Sequence, residues 1–537
     1  MNISFSKWLV FGVMGAVLAL LFLPLAGVVM QAAAPGQGAF GFLFDTVLPG
    51  YVMNTALLGL FVSVMVLGFG VLPAWLVVRY RFTGARWLEW ALILPLAFPS
   101  YIVAYAYTDF LDVAGPLQTG LRDLLGVSAA QFQLPEIRSL GGAGFVLGVC
   151  FYPYVYLLAR TAFLAGSQNM LEAAQVLNAS PWQQFKSVAL PAARPYIMAG
   201  LALALMETLA DYGAVSYFGL KVFSTGIYNA WAGYGDITAA ARLAVILLVF
   251  VIALLAIERR SRGRMVFSDL DSASDNLHRP AALSPAGNIM AMLFCAAPVL
   301  LGFVLPLGVL ISLAAGHVAS QNIADMMLDI APLLGNTVLY ALIAAGLVCA
   351  LALALVLFKK SYHSAWLQRA AGWAGFGYAL PGVVVGIGFL IVSGWARELG
   401  LGLLSGSVLF LIFGYVVRFL AIALQGLEAG NEKIGHNVDD AAKMLGRDAL
   451  SRFWHVRLPL LTPALLSAFL VLFVEVMKEL PITLILRPFD FNTLAVQVYN
   501  LAADERLAEA ALPSVFIVLA GLLPIIMLAR LIRRRAR

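Results

Sequence analysis

The chain has 537 residues, 62% hydrophobic and 12% charged, with a mean hydropathy of +0.92. Soluble domains carry about 25% charged residues, so this composition excludes a soluble globular protein and requires a polytopic protein in a lipid bilayer. The 34 Lys and Arg exceed the 28 Asp and Glu by six. Their placement at the ends of apolar runs makes that excess a topology feature rather than a surface for nucleic acid.

Spans of roughly 20 residues cross the hydrocarbon. Runs of that length fall at 7–31, 52–78, 87–112, 141–165, 195–218, 238–257, 288–315, 334–358, 366–395, 402–426, 462–486 and 508–531. They predict an all-α fold of about 12 transmembrane helices. The first run ends at Gln31-Ala32-Ala33-Ala34, which resembles a signal-peptide cleavage site. It is longer than the roughly 7–15 residues of a signal core, so an uncleaved anchor is expected. Cys150, Cys295 and Cys349 are scattered among apolar runs and form neither a disulfide framework nor a CxxC motif.

Basic residues fall on one side of the predicted spans. They are Lys7, Arg79, Arg81, Arg86, Lys186, Arg194, the cluster from Arg259 to Arg264, Lys359-Lys360 and Arg533-Arg534-Arg535. The alternate loops 32–51 and 316–333 hold Asp45, Asp325 and Asp329 but no Lys or Arg. Both termini are therefore expected in the cytoplasm.

In span three, Tyr101, Tyr105 and Asp109 recur on one helical face after Pro99-Ser100. They read either as a gate or as an aromatic belt at the outer interface. The stretch Glu172 to Pro191, EAAQVLNASPWQQFKSVALP, is an amphipathic insertion between two spans. Asn178 tolerates the left-handed cap conformation that ends a helix. Ser180-Pro181 then starts a new helix as N-cap and first helical residue. That helix is expected to present Trp182, Phe185 and Val188 before Leu190-Pro191 stops it.

Span five carries Glu207 and Asp211, and span eleven carries Glu475, Lys478 and Glu479. Glu207 lies twelve residues past Pro195, about 18 Å along a helix. Ionised groups at that depth cost roughly 2.5–3.5 kcal/mol or more and usually face a cavity or a partner. Each acidic pair is four residues apart, hence on one helix face, and Lys478 is spaced to pair with Glu475. The carboxylates are expected to line a pathway, as substrate contacts or as gating ion pairs.

The chain also repeats itself. Asn54-Thr55 recurs as Asn336-Thr337 and Pro99 as Pro381, at an offset of 282. Beyond an insertion near 113–140 the offset is 268. Glu172-Ala173-Ala174 then matches Asp440-Ala441-Ala442, Asn178 matches Gly446, and Phe185 matches Phe453. Leu190-Pro191 matches Leu458-Pro459, and Glu207 matches Glu475. The expected domains are a first repeat at 1–258, a linker at 259–286 that opens with four arginines, and a second repeat at 287–537. Six spans per repeat make the repeats parallel, with a pathway between them. The counterpart of the tyrosine face, Pro381-Gly382-Val383, has no tyrosine, so the halves differ there.

The pattern Glu-Ala-Ala, three residues, Gly, about eleven residues, Leu-Pro resembles the EAA loop of permease subunits of ABC importers. Asn178 replaces Gly in the first copy and Asp440 replaces Glu in the second. The resemblance covers essentially the whole chain and implies the type I importer permease fold. It also implies that each turn docks one of two cytoplasmic ATPase copies. Phe185 and Phe453 would be the knobs, and Glu172 and Asp440 the polar contacts. The chain has no GxxxxGK[ST] phosphate loop, so ATP and Mg are expected to be used by the partner. No cofactor or resident metal is expected on this chain, and it is not expected to be an enzyme.

Spans five and eleven with their following loops look like fused permeases of ferric iron uptake in the bacterial inner membrane. Those work with a periplasmic binding protein, expected here on 219–237 and 487–507. A permease for thiamine or a phosphonate is the alternative within the class. An ion-coupled secondary transporter with Glu207 and Glu475 as proton sites is the alternative outside it.

Overall fold

The computed structural model describes residues 3–35, 39–165, 174, 176–262, 281–361, 377, 380–400, 402, 404–432, 434, 438, 442, 444–445 and 449–535. Among them the chain is all-α apart from one two-residue parallel bridge, Tyr80-Arg81 with Ala281-Ala282. Nine described helices are long and apolar enough to cross a membrane, or ten with one bent pair. The helices Ile3–Ala33 and Gly382–Glu398 stand at spans one and nine. The predicted beginning of span nine, 366–376, lies outside the described residues.

Span three is broken rather than continuous. Ala85–Ala97 and Ser100–Leu125 meet at 96°. Pro95 and Pro99 lack the N–H that a helix needs, and proline drives the preceding residue out of the helical region. Phe98 and Pro99 are extended accordingly, with ψ of 130° and 137°. Pro381 repeats the device, with ψ of 137° before Gly382–Glu398. Spans five and eleven also end earlier than expected, at Ala210 and Met477, and short helices Gly213–Tyr217 and Pro481–Leu486 follow.

The halves interlock by exchanging their first helices. Ile3–Ala33 packs on Gly382–Glu398 of the second half and on Ile237–Arg262 of its own. Pro285–Ser320 reciprocates on Ser100–Leu111, where the Tyr107 hydroxyl donates to the Leu301 carbonyl at 2.7 Å. Its return from the linker is clamped, because Asn288 exchanges hydrogen bonds with Thr83 at 2.8 and 3.1 Å.

Within the first half, Leu48–Arg79 lies close against Leu140–Ala165. Gly144 and Gly148, four apart, make that approach possible. A Cβ at Gly148 would stand 2.5 Å from Met65, and one at Gly144 2.7 Å from Phe61. Gly148→Leu is therefore expected to cost about 1–3 kcal/mol through overpacking. A lowered melting temperature in detergent would register it.

Candidate functional site

A small cavity of about 80 Å³, partly open, lies between the halves. It is lined by Ser100 and Tyr101 after the break in span three and by Cys150 of span four. Glu207 and Asp211 line it from span five, Arg418 from span ten, and Glu475, Lys478 and Glu479 from span eleven. Four carboxylates thus face two cationic side chains across one space.

Asp211 and Glu479 correspond at offset 268, and both stand in the helix breaks rather than on the preceding helix face. The expectation that each shares one continuous face with the acid four residues earlier is therefore corrected. Each acid caps the short helix that follows. Asp211 Oδ1 accepts from the Ala214 and Val215 amides at 3.0 and 3.3 Å. Glu479 Oε1 and Oε2 accept from the Ile482 and Thr483 amides, each at 3.1 Å. A carboxylate meets the orphan N–H groups and the positive end of the helix there. That interaction is what breaks the spans.

Third partners differ between the halves. Asp211 accepts from the Ser100 hydroxyl. Glu479 is paired with Arg418 at 3.0 Å, the two side chains being 2% and 9% exposed. Lys478 pairs with Glu475 at 2.7 Å, as its spacing predicts. Arg418 was not singled out in the sequence. The cue was an arginine inside the apolar run of span ten, which is costly unless partnered.

Tyr101 and Tyr105 are both 3% exposed, in the core rather than in a lipid-facing belt. Tyr101 lines the cavity, whereas Tyr105 stacks edge-on against Tyr217 at 4.4 Å. Beyond Asp211 the halves meet through hydroxyls. Tyr499 bonds Ser216 at 3.0 Å and Tyr212 at 3.4 Å, at the end of span five away from the Glu-Ala-Ala turns.

Those turns hold a second group of predicted residues. Glu172, Ala173, Asp440, Ala441 and Gly446 lie outside the described residues. Ala174 is half-buried and Ala442 buried. Asn178 takes φ 56°, and the Ala179 amide reaches back to the Ala174 carbonyl at 2.9 Å, a left-handed helix cap. Ser180 and Gln183 form a reciprocal capping box at 3.3 and 2.8 Å. Gln184 ties the turn to the end of span two, accepting from Arg79 at 3.2 Å.

One expectation fails here. Leu190-Pro191 and Leu458-Pro459 do not stop the helix, which runs from Pro181 to Ala210 and from Phe453 to Met477. A π-helical stretch precedes each Leu-Pro pair, Gln184–Ala189 and Phe453–Arg457. Phe185 is half-buried. Its ring packs on Trp75 at 5.4 Å and on Trp182 at 5.6 Å, and Phe453 is half-buried against Trp454 at 5.1 Å. The most exposed apolar residues at the turns are Val176 and Leu177, 82% and 81% exposed, and Met444 and Leu445, 90% and 81% exposed, with Trp182 and Trp454 at 65% and 56%. Val176-Leu177 and Met444-Leu445 match at offset 268, a cue the sequence reading passed over.

A family model for the binding-protein-dependent transport system inner membrane component matches the chain twice, over residues 66–263 and 343–537. The chain belongs to this family. The permease is 23% identical over 514 residues to the Fe(3+)-transport system permease protein FbpB 2 of Haemophilus influenzae, covering 95% of this chain and 96% of that one. It is 24% identical to the ferric transport system permease protein FbpB of Actinobacillus pleuropneumoniae, over 86% of this chain and 66% of the relative. The sulfate transport system permease protein CysT of Escherichia coli is 28% identical over 37% of this chain and 69% of its own. The permease is thus a multi-pass inner-membrane component of an ABC importer with a duplicated core.

Proposed function

We propose that the permease carries ferric iron inward by alternating access. The cavity's charge is the observation that supports this. Four carboxylates against Arg418 and Lys478 leave an acidic surplus, suited to a hard cation that prefers oxygen ligands. A sulfate or phosphonate would meet repulsion there.

In this reading both termini and the two Glu-Ala-Ala turns face the cytoplasm. Each turn docks one copy of a separate ATPase that uses ATP and Mg, with Val176, Leu177, Met444 and Leu445 as apolar contacts. A periplasmic binding protein delivers iron to 219–237 and 487–507, and the Tyr499 hydroxyl layer is the outer gate. The repeats at 1–258 and 287–537 act as two subunits joined by the linker. Cells carrying the permease with its binding protein and ATPase should accumulate labelled ferric iron and not labelled sulfate; the reverse selectivity would refute the proposal. Glu475→Ala should reduce that accumulation without loss of assembly, and undiminished uptake would leave Glu475 a structural partner of Lys478.

A further inference from the structure

We infer that the permease receives its cation on one side of the pseudo-two-fold axis only, on the Asp211 carboxylate beside the Tyr101 hydroxyl. Arg418 is a tethered cation that occupies the matching place on Glu479. The inference rests on the cationic-substrate reading above and assigns its contacts.

The repeat supplies the comparison. Ser100, Tyr101, Cys150 and Asp211 of the first half correspond to Gly382, Val383, Arg418 and Glu479 of the second. A carboxylate offers about four lone-pair sites. Glu479 fills them with Arg418, the Ile482 amide, the Thr483 amide and the Thr483 hydroxyl. Asp211 meets Ser100 and the Ala214 and Val215 amides, all neutral donors. Its negative charge is thus not neutralised by these donors, and a lone-pair site remains.

Arg418 and Gly382 belong together. A Cβ at residue 382 would collide with the Arg418 guanidinium and stand 2.9 Å from Glu479 Oε1. The second half has a glycine where the first has Ser100, and the arginine fills the space. On the first side, Tyr101 is a separate pointer to a ligand. Its hydroxyl is buried, has no hydrogen-bond partner among the described residues, and lies within electrostatic reach of Glu479 first and Asp211 second. Buried hydroxyls are rarely left so. A phenol and a carboxylate are the oxygen donors that a hard trivalent cation prefers.

The test is equilibrium dialysis of terbium(III), a hard trivalent probe, against the full chain assembled with its ATPase, alongside ferric iron uptake. Asp211→Asn keeps the cap and the Ser100 bond, and Tyr101→Phe removes a hydroxyl that has no partner to lose. Both should fold, and each should bind terbium at the tightest site roughly tenfold or more weakly. The double variant Gly382→Ser with Arg418→Cys frees the Glu479 carboxylate but leaves Val383 in the place of Tyr101, and should add a second terbium site weaker than the first. If wild type imports ferric iron while Asp211→Asn and Tyr101→Phe bind terbium and import iron unchanged, the one-sided site is overturned and the ferric reading stands. If wild type imports sulfate and binds no terbium, both are overturned.

Discussion

Arg418→Met is expected to destabilise the permease by about 3–5 kcal/mol, the usual consequence of leaving one buried partner of an ion pair without its mate. Glu479 is 2% exposed at its side chain, so bulk water replaces the guanidinium poorly. The carboxylate also caps Pro481–Leu486, so strain there should loosen the wall shared with Tyr101 and Gly213. Glu479→Gln with Arg418→Met should recover most of the loss. Glutamine still offers an oxygen to one of the Ile482 and Thr483 amides, and no unpaired charge remains. Thermal unfolding of the wild type, the two single variants and the double variant gives the coupling energy directly. Additive effects would mean that the pair does not interact as described.

Removing the apolar contacts at both turns should be equally decisive for assembly. Val176, Leu177, Met444 and Leu445 are almost fully exposed, and burying such side chains stabilises a complex by up to about 1.5–3 kcal/mol each. Changing all four to Asp should abolish co-purification of the ATPase while leaving the melting temperature of the permease unchanged. Changing one pair should leave partial binding. Phe185→Asp should behave differently, lowering the melting temperature because its ring is held between Trp75 and Trp182. Intact ATPase binding in the four-residue variant would remove the turns from the interface.

Much of this architecture is written in local features. Apolar length marks the spans, and the offsets of 282 and 268 reveal the duplication. Asn178 and Ser180 announce a helix end and a helix start through conformations that few residues accept. The features that escaped depend on distance or phase. Arg418 and Gly382 are 36 residues apart in sequence and meet only through the fold, so neither periodicity nor spacing links them. The breaks after Ala210 and Met477 come from Asp211 and Glu479 turning to cap the next helix, and an acid four residues after another reads equally well as one face. Phe185 meets Trp75 only through the fold, so its spacing alone does not show that contact.

Both the driving force and the cargo can be read in one preparation. The permease would be reconstituted with its ATPase in proteoliposomes, and the binding protein loaded with labelled ferric iron added on the receiving face. Iron trapped inside the vesicles should rise only when ATP and Mg reach the ATPase, and a proton gradient alone should drive none. Iron accumulation by the permease without the ATPase, under a proton gradient, would contradict the account.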